Sequence, residues 1–175
     1  MAGFVRRVGG AAALDAATYE EVEADSSATL QAMAVVLLAG VAAGIGAPEP
    51  GSLTGTLTRV VIALVSWGVW AAIIAQLGGG PLAEPQTSVN WPQLLRTLGF
   101  AAAPGIVQVL GVVGPLSAPV RIVSWIWMAA AMIVAVRQAL DYTQTWRAVL
   151  VCVVGGAVAL AVSVALGMAF TMPVS

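Results

Sequence analysis

Residues 57–77 read LTRVVIALVSWGVWAAIIAQL, a run in which Arg59 is the only charged residue. About 20 mostly apolar residues in an α-helix span the roughly 30 Å of hydrocarbon in a bilayer, at 1.5 Å per residue. This run meets that requirement and fixes the environment of the chain. Outward from it, four further segments have the same character, approximately Thr29 to Gly46, Thr97 to Leu116, Val120 to Leu140 and Ala148 to Thr171, each bounded by polar residues, Gly or Pro. The expected fold class is an all-α integral membrane protein, a five-transmembrane-helix bundle. Residues 29–171 form its membrane domain, 1–28 a cytoplasmic acidic helix, and 172–175 a short tail.

Composition supports the same class. The chain is 60% hydrophobic and 9% charged, against roughly 45–50% and 25% in an ordinary soluble domain. A domain of this size still leaves about 30% of its chain surface exposed, so lipid must solvate what folding cannot hide. The net charge of −1 supplies no basic field, and nucleic acid is not an expected partner. Cys152 is the only cysteine; it reads as a small packing residue, with no intrachain disulfide and no cysteine metal cluster.

The third segment departs from the others. Pro104 and Gly105 interrupt it and Gln108 lies near its middle. Proline removes one backbone donor and crowds the preceding turn, so Phe100 to Gly111 is expected to be kinked or divided into two half-helices, placed inside the bundle where the freed carbonyl finds a partner. A re-entrant hairpin is the alternative, and it would put the carboxyl terminus on the opposite side. Before this segment the loop GGGPLAEPQTSVNWPQLLR (78–96) ends in Asn90-Trp91-Pro92, a combination that starts helices. Trp91 is expected at headgroup depth.

Ala11 to Asp25 reads AAALDAATYEEVEAD, a single short surface helix with Leu14, Tyr19 and Val22 as its few large apolar residues. Its acids Glu20, Glu21, Glu23 and Asp25 form either a solvated face or a docking surface for a cationic partner. Arg6 and Arg7 precede polar sequence where a signal peptide would be apolar, so no cleavage is expected. Arg6, Arg7, Arg96, Arg137 and Arg147 fall on the amino-terminal side of the spans, and only Arg59 and Arg121 on the other. Five against two places the amino terminus in the cytoplasm and the carboxyl terminus outside.

No acidic residue or basic residue lies inside a span away from its ends, and there is no histidine. Ion-coupled pumps need such groups and general-base catalysis commonly uses histidine. The expectation is therefore a non-enzymatic protein without cofactor or metal. Three clusters remain as candidate sites. Arg137, Asp141, Tyr142, Trp146 and Arg147, within VRQALDYTQTWRAV (136–149), form a cytoplasmic corner; Arg137 and Asp141, four apart, would share a face of a continuing helix. Its readings are an interfacial anchor or a partner-docking corner. Small residues at Gly40 and Gly44, and at Gly155, Ala159, Ser163 and Gly167, repeat every four positions and mark helix-packing ridges. Trp67 and Trp70, mid-segment and on one side of their helix, are either core or the wall of a ligand pathway with Pro104, Gly105 and Gln108.

The ordered stretches LDAATYEEVEADSSAT (14–29), WPQLLRTLGFAAAPG (91–105) and IWMAAAMIVAVRQALDYTQTWRAV (126–149) together resemble bacterial members of the Yip domain family, relatives of the Ypt/Rab-interacting membrane proteins. The resemblance covers nearly the whole chain. It implies a five-span bundle with a cytoplasmic amino terminus, in the bacterial inner membrane. Eukaryotic members are linked to GTPase binding, vesicle traffic and membrane shaping. Their long amino-terminal region is reduced here to under thirty residues, a departure from the Rab-binding pattern. The leading expectation is a membrane scaffold or accessory subunit that contacts lipids and other membrane proteins or itself. The alternatives are a small-molecule or lipid permease or channel built on the broken third span, and a membrane-shaping protein.

Overall fold

The computed structural model describes residues 2–47 and 53–171. They form seven α-helices: α1 Ala2–Ala12, α2 Ala16–Ala24, α3 Ala28–Ile45, α4 Leu53–Gly78, α5 Trp91–Phe100, α6 Ser117–Ala139 and α7 Thr145–Thr171. Between α5 and α6 the chain runs as 3-10 helix over Ala103–Val112 and again over Gly114–Leu116. No strand occurs among the described residues. Four segments are long and apolar enough to cross a membrane: Ala28–Ile45, Val60–Gly78, Trp91–Val112 and Gly114–Ala139. In α7 the described side chains end at Val158, and Thr145–Val158 is a shorter apolar helix.

Asn90 caps α5 as its sequence requires: the side chain accepts from the Gln93 amide at 3.4 Å, with Pro92 in the first turn. The α-helix stops at Phe100. From Pro104, which has no N–H to give, the backbone bonds three residues back instead of four, beginning with Gly105 N–H to the Ala102 carbonyl at 2.8 Å. Ten residues of 3-10 helix is long for that form. Packing sustains it. Trp91–Val112 is the most enclosed of the four apolar segments, 56% buried against 44, 11 and 22% for the others, and the Ser124 hydroxyl donates to the Pro104 carbonyl at 3.1 Å.

Three close approaches seat this segment on α3. A Cβ on Gly99 would lie 2.7 Å from the Ala32 Cβ, one on Gly105 3.1 Å from the Ala39 Cβ, and one on Gly111 would collide with the Gly46 carbonyl. The α3 partners recur every seven residues, about 10.5 Å of α-helix. The glycines recur every six. At three residues per turn and about 2 Å rise, Gly105, Gln108 and Gly111 share one face and advance about 12 Å, so the two strings stay in step. Because Ala32 pairs with Gly99 and Gly46 with Gly111, the third segment runs parallel to α3 along its length instead of doubling back.

The amino-terminal expectation needs correction. Residues 11–25 are not one helix lying loosely on a surface. The chain forms an antiparallel helical hairpin, α1 and α2, broken at Leu14, whose φ is 62°. Leu14 N–H to the Ala11 carbonyl and Asp15 N–H to the Gly10 carbonyl close α1 in a Schellman turn, and the Asp15 side chain then caps α2. Tyr19 and Val22 are fully buried. Trp127 of α6 donates to the Ala12 carbonyl at 2.7 Å, and Arg96 of α5, itself buried, donates to the carbonyls of Val22 at 3.0 Å and of Glu23. The hairpin is thus bonded into the bundle through α5 and α6.

These contacts predict a graded response to glycine substitution. Gly99→Ala and Gly46→Ala should each lower the unfolding midpoint in detergent, by about 1–3 kcal/mol of overpacking. Gly68→Ala, where an added Cβ meets nothing within 4 Å, should be neutral or stabilising, because alanine is the better helix former by about 1 kcal/mol.

Candidate functional site

Two regions hold the candidate residues. The first is a half-open cleft of about 540 Å³ lined by α3, α4, the third segment and α6, within the roughly 300–1,000 Å³ typical of ligand sites. Trp67 and Trp70 of α4 form one wall, Gly40 and Ala43 of α3 another, and Gln108 and Met128 close one end. Ser66 and the two indoles are otherwise its polar groups. The Trp67 indole N–H is committed to the Leu95 carbonyl at 3.0 Å. That of Trp70 is buried without a partner. Gln108 reaches only the Met128 sulfur, at 3.9 Å, a weak acceptor. The sequence-derived set Trp67, Trp70 and Gln108 therefore converges on one apolar cavity. Pro104 and Gly105 are buried in the 3-10 segment and do not line it.

Gly40 packs where a Cβ would sit 3.3 Å from the Val60 Cα, and Gly155 where it would sit 3.2 Å from Ile73 and 3.5 Å from Trp70. Gly44 is buried in α3. Both glycine positions make contacts within the chain. The side-chain positions of Ala159, Ser163 and Gly167, and the 172–175 tail, lie outside the described residues.

The second region gathers the α1–α2 hairpin, the 79–90 loop and the 140–144 turn at one end of the bundle. Arg137 and Asp141 do not pair there as a continuing helix would have them. Helix α6 ends at Ala139 in a second Schellman turn, with Asp141 at φ 52°, and Arg137 donates to the Tyr142 carbonyl at 3.4 Å. The Tyr142 hydroxyl, whose pKa burial raises, donates to the Gly78 carbonyl at 2.9 Å. Arg147 meets Glu84 at 3.2 Å and donates to the carbonyls of Leu82 and Ala83. Its guanidinium lies 5.3 Å from the ring centre of Trp146, which is exposed.

Glu84 is the residue that sequence reading missed. It is buried, and its carboxylate accepts from the Thr143 amide at 3.0 Å, the Thr143 hydroxyl at 2.9 Å, and Gln86. Those bonds, with the nearby Arg147, hold its pKa below the usual carboxylate range. A lone Glu in a Gly/Pro loop carries no signal of this role. Of the five corner residues Tyr142 and Arg147 thus lock the two loops together, while Arg137, Asp141 and Trp146 are exposed.

The acidic face is also committed. Glu21 bonds Arg6 and Arg7 at 2.6 and 2.9 Å, Asp25 bonds Arg7 at 2.7 Å, and Glu20 accepts from Gln138 at 2.7 Å. Hydrogen bonds from Ser27 and Arg7 lower Asp25 to about 2. Glu23 differs: burial, with Asp141 and Glu20 adding repulsion against the pull of Arg96, pushes its carboxyl up to about 7. Glu20 stays exposed, and Glu21 and Asp25 are about a third exposed while paired within the chain.

Comparisons with family models, with curated proteins and with solved structures return no match to this chain.

A carboxyl whose folded pKa is raised binds more protons folded than unfolded, so its contribution to stability falls as pH rises from about 4.5 to about 7. Protection of the α2 amides, after correction for the base-catalysed intrinsic exchange rate, should therefore be greater at pH 6 than at pH 8. Glu23→Gln should raise protection at pH 8 and remove most of the difference.

Proposed function

We propose that this chain is a non-enzymatic, five-span membrane protein that takes an apolar or amphipathic molecule from the bilayer into the cavity between α3, α4, the third segment and α6. It is a lipid- or hydrophobe-handling protein of the permease type. The observation that carries this reading is the cavity itself: about 540 Å³, walled by Trp67, Trp70, Met128 and small residues, with Gln108 as its one side-chain amide. An apolar cleft of that size, half open at the side of the bundle, leaves its walls short of packing partners, and in a membrane lipid chains are the available filling.

Five crossings are supported by length. Ten residues of α-helix and ten of 3-10 helix rise about 15 and 20 Å, enough for the hydrocarbon, and the third segment keeps step with α3. Helix α7, at 27 residues, is long enough for the fifth. The Arg count then sets the amino terminus in the cytoplasm. This is the architecture that the Yip-like stretches imply, and we retain that resemblance as part of the proposal.

A second reading, the scaffold or accessory subunit, is favoured by α4. Its apolar window is only 11% buried, with Val61, Ile62, Val65 and Val69 outward, a face for lipid or for a partner helix. Within the Arg137–Arg147 corner Tyr142 and Arg147 are committed to the 78–84 stretch, while Arg137, Asp141 and Trp146 stay exposed to such a partner.

Native mass spectrometry of the protein released from nanodiscs tests the proposal. A lipid or other hydrophobe should remain bound, and Ser66→Phe, which fills the cavity from α4, should reduce its occupancy several-fold while the fold persists. A bare protein, or one whose adducts are unchanged by Ser66→Phe, would remove the cavity reading and return weight to the scaffold.

A further inference from the structure

A second cavity, of about 200 Å³, adjoins the first on the side of the amino-terminal end of α6. The two share Ala43 and Gln108 as walls. On α6, Ser117, Arg121 and Trp125 line the small cavity, and Met128 and Met132 the large one. Spaced by four, four, three and four residues, these five side chains fall on one face of the helix. Along α3 the order is the same, from Ala39 and Gly40 through Ala43 to Gly46 and Ala47. The lining therefore changes from carbon to cation along a single track, with the Gln108 amide at the change-over.

We propose that the two cavities form one site for a single-chain anionic amphiphile, with its carboxylate or phosphate head on Arg121 and Ser117 and its tail passing Gln108 into the tryptophan-walled lobe. Three features match that ligand, and the first of them sets it apart from a neutral one. Arg121 supplies a fixed charge with a forked donor set suited to carboxylate and phosphate. Ser117 and Gln108 add uncharged donors on the same side. The single apolar lobe accepts one chain. Trp125 completes the small cavity, where an indole suits the headgroup boundary. This inference rests on the cavity reading above and adds to it the class of ligand and the seat of its charge.

The test uses the full-length protein in nanodiscs of zwitterionic lipid, titrated with a fluorescent long-chain fatty acid and with its methyl ester, and in parallel with a monoalkyl phosphate and its neutral triester. At least one anionic probe should bind about tenfold or more tightly than its neutral counterpart, the contribution of a charge-assisted hydrogen bond. Arg121→Gln should erase that preference by lowering the anionic probe's affinity far more than the neutral probe's, and Arg121→Lys should keep part of it. Whichever anionic probe holds the preference identifies the head. Equal binding of charged and neutral probes to the unmodified protein would overturn the assignment of Arg121 while leaving the cavity reading intact. No binding by any probe would overturn both.

Discussion

The arrangement depends on the approach of two backbones. Ala32 against Gly99, Ala39 against Gly105 and Gly46 against Gly111 bring α3 and the third segment together with no side chain of either larger than a methyl at those contacts. A 3-10 helix has poorer hydrogen-bond geometry than an α-helix and is seldom long. Here it is held on one side by α3 and on the other by α6, where Ser124 bonds the Pro104 carbonyl. In an apolar surround every unsatisfied backbone group is costly, so the irregular segment has to be the enclosed one. The outer helices, α4 above all, are regular and can face lipid.

The cavity follows from the same constraint. Small residues let α3 touch the third segment closely and, at Gly40, approach the α4 backbone at Val60, and farther along α4 the large Trp67 and Trp70 side chains wall the space. Trp67 is braced on the Leu95 carbonyl, so the wall is fixed while the space it borders is open. At the opposite end, the α1–α2 hairpin, the 79–90 loop and the 140–144 turn are joined by Arg96, Glu84, Arg147 and Tyr142. These bonds close that end of the bundle and give the cavity a rigid frame.

Much of the helical order was legible in the sequence. Long apolar runs separated by Gly and Pro fall close to α3, α4, α6 and α7, and Asn90-Trp91-Pro92 marks the start of α5. The convergence of Trp67, Trp70 and Gln108 was also foreseeable as a possibility. Three features were hidden. The glycine seam escapes a search for small residues every four positions, because its six-residue period belongs to a 3-10 helix that local propensity does not announce. The break at Leu14 puts a leucine in a left-handed conformation that sequence rules reserve for glycine and asparagine. The tasks of Glu84 and Arg96 come from partners 59 and 74 residues distant, which no local pattern encodes.

The parallel passage of the third segment beside α3 is the claim on which the bundle, the cavity and the orientation all turn. Single cysteines at Trp91 and at Leu116, placed in a Cys152→Ser background and probed with a membrane-impermeant thiol reagent on sealed vesicles of one orientation, test it directly. Labelling of the two positions from opposite sides of the membrane is the expected result. Labelling of both from one side would mean that the segment turns back, and the five-span account would be wrong.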